Sequence, residues 1–280
     1  MNLTKQMVCG LLWLLLTVGL SVASETGTAG DSAAKETELP AIISGRLYVP
    51  SANPMADLAA RMVVAKENNN RLLIVLGANW CHDSRALASR LFTAPLDTLV
   101  NDNYETLFVD VGYLETGRDV ITSLGIPVYY ATPTVLIVDP VSGEVVNAND
   151  RHQWANAAGI SMAASIDYFR QYEDAAVAVS EGENNAYLQT LLDDIDAFEQ
   201  LQADRLYQAY AVLGPMLKAY EEGDTETFPD DLWDEVRDYR YQVPADLDAL
   251  RAEAREQVAS GETGIELNYP VYPAFSWELN

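Results

Sequence analysis

The sequence has few cysteines, histidines and basic residues, and each shortage excludes a class of function. Two cysteines in 280 residues cannot form a disulfide framework, and two histidines beside them leave little for a zinc site, so we expect no metal. Lysine and arginine number 17 against 42 acidic residues, which gives a formal net charge of −25. That charge repels phosphate backbones and anionic lipid surfaces, so we expect no binding to nucleic acid or to membrane surfaces.

Several catalytic and cofactor motifs are also missing. The sequence has no Gly-x-Gly-x-x-Gly, no phosphate-binding loop, no His-Glu-x-x-His and no Gly-x-Ser-x-Gly. We therefore expect no cofactor. The composition is otherwise that of a globular protein, with 49% hydrophobic and 21% charged residues, so the chain is long and apolar enough to bury a core.

The N-terminal residues predict an export signal. Lys5 precedes an apolar run over residues 11–20, and the small residues that follow offer a cleavage site after Ala23. An uncleaved anchor is the alternative, but the run is short for a membrane span of about 20 residues. Cleavage of residues 1–23 would remove Cys9 and leave a periplasmic or secreted protein without stable membrane insertion. Residues 24–45 are small, polar and acidic, which predicts a flexible linker.

Residues 46–180 have the pattern of an α/β domain. The continuous apolar run at 71–77 predicts a strand that is covered on both faces, as in a parallel sheet. Further strands are predicted at 105–111, 134–138 and, as a hairpin return, 144–147. Helices are predicted after Asn53-Pro54 and at 81–93, 118–124 and 161–178. This order of elements predicts a three-layer α/β domain.

Residues 181–280 predict an acidic α-helical extension with an aromatic tail. Apolar residues recur at helical spacing over 188–198, 206–220 and 247–258, which indicates a packed pair or trio of helices. Gly214-Pro215 predicts a kink in the second stripe. The tail over 269–277 predicts a strap across the protein's own core, or else a ligand for a partner.

The segment around Cys81 has the residue types needed for chemistry. Cys81 follows a predicted buried strand and begins a predicted helix, where backbone N–H groups and the helix dipole stabilise a thiolate. Trp80 can shield one side of the sulfur, and a protonated His82 would favour the thiolate. The alternative is a buried, inert cysteine.

This segment resembles the active site of the thioredoxin superfamily. The sequence Trp-Cys-His-Asp-Ser at 80–84 stands where that family has Trp-Cys-x-x-Cys, and Ala-Thr-Pro-Thr at 131–134 resembles its cis-proline segment. The resemblance implies a thioredoxin-like three-layer α/β/α domain followed by the C-terminal α-helical extension. It also implies that Cys81 is the attacking thiol, Thr132 a substrate-gripping residue and Pro133 the cis-proline, with Pro127 as a competing candidate.

Three positions depart from the family pattern. Ser84 replaces the second cysteine, which in the family attacks the mixed disulfide and releases the substrate; a hydroxyl is too poor a nucleophile for that step. Val75 stands where the family has a buried acid, and Thr106 stands where a lysine often accompanies that acid. These departures point away from a general dithiol reductase.

Two hypotheses follow from these residues. The first is an exported thioredoxin-like protein that acts on thiols and disulfides through Cys81 alone, with Ser84 and His82 beside it. It would capture client protein thiols as mixed disulfides, isomerise disulfides, or exchange with a small thiol. The alternative is a non-catalytic thioredoxin-fold binding module that works through its helical extension. The Trp80-Cys81 pair at a helix start favours the first, and the missing acid and second cysteine favour the alternative.

Overall fold

A computed structural model describes residues 47–173 and 185–279 of the protein. The predicted signal peptide, the linker and the domain boundary at residue 180 lie outside the described residues. In chain order the elements are α1 (Pro54–Asn68), β1 (Arg71–Gly77), α2 (His82–Leu91), α3 (Leu96–Asn103), β2 (Tyr104–Asp110), α4 (Arg118–Ser123), β3 (Thr134–Val138), a 3₁₀ helix (Arg151–Gly159), α5 (Met162–Gln171), α6 (Ala186–Glu221), α7 (Asp230–Ala259) and a last 3₁₀ turn (Ser276–Leu279).

Three strands of the described residues form one sheet, in the order β2-β1-β3. The central strand β1 pairs parallel with β2 and antiparallel with β3, so the sheet is mixed and the expectation of a parallel sheet is corrected. Leu72 to Gly77 are all buried. Continuous apolarity therefore indicated burial on both faces correctly, but it does not depend on strand direction and could not predict it.

The predicted hairpin strand at 144–147 is reduced to a single bridge between Val138 and Val145. The side chain of Asn147 takes over the pairing that a further strand residue would have made. Its Oδ1 accepts the Ile137 N–H at 2.7 Å, and its Nδ2 donates to the Val135 carbonyl at 2.9 Å. Because Asn147 is buried, these bonds satisfy backbone groups that water cannot reach.

Helices cover both faces of this sheet, which gives the thioredoxin-like α/β/α fold predicted from the sequence. Leu72, Ile74 and Leu76 point to the side of α1 and α4, whereas Leu73 and Val75 point to the side of α2, α3 and α5. This alternation follows from the two-residue period of a strand. No helix among residues 47–173 and 185–279 is long and apolar enough to cross a bilayer.

The C-terminal helices α6 and α7 pack against each other and on the α/β domain. One hydrophobic cluster contains Ile74 of the sheet together with Leu206 of α6 and Leu247 of α7. The contact is specific, because the Tyr210 ring stacks on Tyr129 at 5.4 Å between centroids and its hydroxyl donates to the Tyr129 carbonyl at 2.8 Å. The described extension is thus a pair of helices that shares a core with the sheet.

Helix α6 continues through Gly214-Pro215, the pair at which the sequence predicts a kink. A glycine is required at position 214 because the α/β domain approaches the α6 backbone closely there. A Cβ atom at Gly214 would overlap the carbonyl oxygen of Tyr113. The glycine therefore lets the α6 backbone lie directly on the loop after β2.

We expect Gly214→Ala to destabilise the protein by about 1–3 kcal/mol, because the added methyl forces apart two backbone segments. In a helix that packs on nothing at this position, the same change would stabilise by up to about 1 kcal/mol. Urea unfolding distinguishes the two results by their sign. A urea midpoint equal to or above that of the unchanged protein would show that the loop around Tyr113 can move away from the added methyl without loss of stability.

The aromatic tail lies across the protein's own core, as one of the two sequence interpretations predicted. Tyr272 and Phe275 are buried in the cluster that joins the helices to the sheet. Arg205 of α6 holds the tail in place, because its guanidinium binds both carboxylate oxygens of Glu278, at 3.1 and 2.8 Å, and donates to the Pro273 carbonyl. These bonds fix the end of the described chain to α6.

We expect Glu278→Gln to lower stability at neutral pH by about 1 kcal/mol. Hydrogen bonds from the Arg205 guanidinium, and a further one from the Phe275 N–H, hold the pKa of Glu278 below its ordinary value. A carboxyl whose pKa is lowered by folding stabilises the protein above its unfolded pKa of about 4.3 and loses that contribution as the pH falls through the folded value. Melting temperatures of the two proteins should therefore differ at pH 7 and converge in acid. Glu226→Gln, at an exposed carboxyl between α6 and α7, is the control that should show no such pattern.

Candidate active site

Cys81 is the N-cap residue of α2 and lies half-buried just beyond the end of the central strand β1. Its carbonyl accepts the Arg85 N–H at 3.1 Å, which begins the helix at this residue. Its Sγ lies 3.0 Å from the carbonyl oxygen of Thr132 and 3.4 Å from the Thr132 hydroxyl. The peptide bond between Thr132 and Pro133 is cis. The structure therefore brings the thiol directly against the segment that precedes β3.

The strand pairing explains why these distant segments meet. Because β1 and β3 are antiparallel, Leu76 near the end of β1 pairs with Thr134 at the start of β3. The chain that leaves β1 toward Cys81 and the chain that enters β3 from Thr132 then occupy the same end of the sheet. Among the described residues, cis bonds precede Pro95 and Pro133 and not the competing candidate Pro127.

Hydrogen bonds fix the loop that presents the thiol. Trp80 donates its Nε1–H to the Gly112 carbonyl at 2.7 Å. Arg85 donates to the carbonyls of Asn79 and Trp80 at 2.6 and 2.8 Å, and so holds the loop from the helix side. The Asn79 side chain accepts the Tyr48 N–H and donates to its carbonyl, which ties the loop to the segment before α1. The thiol therefore sits on a loop that is fixed on three sides.

Ser84 lies inside the protein, one turn further along α2 than Cys81. Its side chain is fully buried, and its Oγ accepts the Ala78 N–H at 3.3 Å. Tyr48 lies beneath it and donates its hydroxyl to the Ser84 carbonyl at 3.2 Å. Burial raises the pKa of Tyr48 well above the usual range, so the phenol stays protonated. A Cβ atom on Gly77 would lie 2.7 Å from the Ser84 Oγ, so the glycine makes room for this arrangement.

The other sequence-predicted positions lie at different depths around the thiol. His82 is exposed to solvent, whereas the Asp83 carboxylate accepts the Ala158 N–H at 2.8 Å and joins α2 to the 3₁₀ helix. Val75 is buried and pairs with Phe108 rather than Thr106. The position of the family's buried acid is therefore apolar, and its neighbour on β2 is uncharged.

Helix α7 contributes residues to the site that the sequence analysis did not identify. Cys81 and Thr132 line a cavity of about 210 Å³ whose other wall is formed by side chains of α7: Trp233, Arg237, Arg240 and Tyr241. Trp233 also contacts Trp80 edge to face, with 6.2 Å between ring centroids. The last three of these α7 residues follow Trp233 by four, seven and eight positions, so the sequence alone places all four side chains on one helical face. The sequence does not show what that face contacts.

The described part of the chain contains no cluster of side chains that could bind a metal ion. No three side chains of histidine, cysteine, aspartate or glutamate lie close enough together there to hold an ion. The chemically reactive group of the cavity is the Cys81 thiol, and the charged groups around it are the guanidinium groups of α7 and the carboxylate of Asp83.

Comparison with known proteins gives a family match for the first part of the described chain. Residues 53–140 match a family model described as Thioredoxin-like. The solved structure of a disulphide isomerase from Xylella fastidiosa Temecula1 is 26% identical, with a TM-score of 0.42, over 45% of this chain and 95% of that one. No curated protein matches the chain. The family match includes Cys81, Thr132 and Pro133 and ends before α6 and α7.

Proposed function

We propose that this protein is an exported thiol–disulfide exchange protein that works through Cys81 alone. The observation that carries the proposal is the half-buried Sγ at the start of α2, which faces Thr132 and opens into a cavity. The thioredoxin-like fold supports a thiol–disulfide role in general terms. The single-cysteine mechanism rests on Ser84, whose hydroxyl cannot displace a bound sulfur.

The reaction requires no cofactor. The Cys81 thiolate attacks one sulfur of a disulfide, the new Sγ–S bond forms, and the second sulfur leaves with the electron pair and takes a proton from water. A thiol of the client, or a small thiol, then attacks the mixed disulfide and returns Cys81 to the reduced state. The Thr132 hydroxyl lies in position to donate a hydrogen bond to the Cys81 sulfur. Thiol-containing proteins and small thiols are the proposed partners.

The proposal of export rests on the N-terminal residues and is compatible with the chemistry of a lone thiol. After cleavage behind Ala23, Cys81 is the one cysteine of the mature chain. The periplasm and the extracellular space are oxidising, so small disulfides are available there to react with it. The N-terminal residue of protein purified from the producing cell tests this part, and Ser24 is expected.

The test of the single-cysteine mechanism is incubation of the folded protein with oxidised glutathione, followed by non-reducing mass spectrometry. We expect one glutathione per chain, located at Cys81, and none on Cys81→Ala. Ser84→Ala should retain the adduct, because Ser84 does not react. A folded protein that remains unmodified, while the same chain in urea gains one glutathione, would show an inert cysteine and favour the binding-module alternative.

A further inference from the structure

The cavity beside Cys81 contains two arginines of α7, although the protein has a large excess of acidic residues. Arg237 lies at the exposed mouth, and Arg240 lies deeper and is half-buried. Both come from a helix outside the region that matches the thioredoxin-like family. The cavity is therefore built from the α/β domain on one side and from the extension on the other.

Arg240 differs from most arginines in the described part of the chain, because no carboxylate there lies within ion-pair distance of it. Its Nε donates to the Tyr130 carbonyl at 2.5 Å, and its guanidinium carbon lies 5.8 Å from the centre of the Tyr210 ring. By contrast, Arg205 binds Glu278, and Arg251 binds Asp196 and Glu199. A half-buried guanidinium without a carboxylate has a positive charge that an anionic ligand can balance.

The acidic groups near the cavity leave that charge in place. Asp83 also lines the cavity, but it forms no ion pair with Arg240, and its carboxylate accepts the Ala158 N–H. Asp234 and Asp238 are exposed and pair with Arg237, at 2.6 and 3.0 Å. These exposed pairs balance the charge of Arg237 only in part, because water screens them, whereas Arg240 has no carboxylate partner further inside.

We infer that Cys81 acts preferentially on small disulfides that carry a carboxylate, and that Arg240 binds this carboxylate while Arg237 assists at the mouth. The inference rests on the proposed function and names its substrate class. The cavity volume of about 210 Å³ is below the usual range for drug-sized ligands, about 300–1,000 Å³. Such a space admits one half of a small disulfide. In the exchange, the half that carries the carboxylate stays bonded to Cys81 Sγ, and the other half leaves as a thiolate.

Two disulfides that differ only in their carboxylates test this preference. These are 2,2′-dithiodipyridine and 6,6′-dithiodinicotinate, each of which releases a chromophore when a thiol attacks it. The second-order rate constant of the full mature chain is measured with each probe, and the ratio of carboxylated to neutral rate is divided by the same ratio for the chain unfolded in urea. This double ratio removes the intrinsic reactivity of the probes and of the thiol.

We expect Arg240→Gln to lower the double ratio about fivefold, in line with the loss of one partly buried charged hydrogen bond. Arg118→Gln removes the same charge from an exposed pair with Asp204 on the surface, and should leave the ratio as it is. An unchanged ratio in Arg240→Gln, or an equal decrease in Arg118→Gln, would overturn the inference. A thiol that reacts with neither probe in the folded chain would overturn the proposed function itself.

Arg240 also donates to the Tyr130 carbonyl, so Arg240→Gln could fail to fold. A second variant keeps the inference testable in that case. Arg237→Gln changes an exposed side chain whose ion pairs lie within α7. We expect it to lower the double ratio about twofold. Should Arg240→Gln prove unfolded by circular dichroism, an unchanged ratio in folded Arg237→Gln would be the result that rejects the inference.

Discussion

Replacing Ser84 with cysteine is expected to abolish the stable glutathione adduct at Cys81 and to produce an internal disulfide in its place. Ser84 lies three residues after Cys81, on the first turn of the same helix, which is the spacing of the family's two cysteines. A thiol at that position can attack the mixed disulfide and expel glutathione, which the hydroxyl cannot do. Adduct occupancy should fall from near one per chain to near zero.

Non-reducing mass spectrometry measures this change directly. The internal disulfide lowers the mass by two hydrogens relative to the reduced chain, whereas the adduct adds a glutathione. Ser84→Ala is the matched control, since it loses the hydroxyl that accepts the Ala78 N–H without gaining a thiol, and it should keep the adduct. Persistence of the adduct in Ser84→Cys would mean that the buried second position cannot reach the sulfur of Cys81, and release would then depend on the client's own thiol.

The strands were predictable because burial on both faces leaves a local signature. Residues 72–77 and 135–138 are uninterrupted apolar runs, and the structure has strands at 71–77 and 134–138. The direction in which β3 pairs with β1 was not predictable from these runs. An apolar run has the same composition in either direction, and pairing is set by the connections between strands.

The elements that the sequence analysis missed are those whose stability comes from distant contacts. Helix α3 spans eight residues and buries only Leu96 and Val100, too short a pattern to recognise. The single bridge at Val145 has a similar explanation, because Asn147 replaces a strand with two side-chain hydrogen bonds. No local pattern indicates that an asparagine will be buried beside a strand.

The candidate site divides in the same way. The segments around Cys81 and Pro133 could be identified by resemblance, and the antiparallel pairing of β1 and β3 places them together. The wall formed by α7 could not be identified, because Arg240 lies 110 residues along the chain from its hydrogen-bond partner Tyr130. The spacing of its polar and aromatic residues shows one helical face, but only the packing shows that this face meets a thiol.

Removal of the extension is expected to cost the α/β domain stability on the order of 3 kcal/mol and most of its solubility. A chain that ends at residue 180 loses the Tyr210 ring and hydroxyl from Tyr129 and the Arg240 guanidinium from the Tyr130 carbonyl. Aromatic pairs contribute about 0.5–1.5 kcal/mol each beyond their buried area, and hydrogen bonds about 1 kcal/mol each. The apolar face that remains, which includes Ile126 and Tyr129, would lie open to water and promote association.

A nicked chain separates the loss of these contacts from the loss of covalent connection. A protease site placed between residues 174 and 184 allows cleavage after folding, and both fragments should then elute together with the melting temperature of the uncut protein. The truncated chain should melt at least about 10 °C lower and elute as aggregate. A truncated chain that equals the full protein in both measurements would show that α6 and α7 add nothing to the sheet's core. Since α7 forms one wall of the Cys81 cavity, the truncated chain should also lose any preference for carboxylated disulfides, so stability and selectivity should depend on the same two helices.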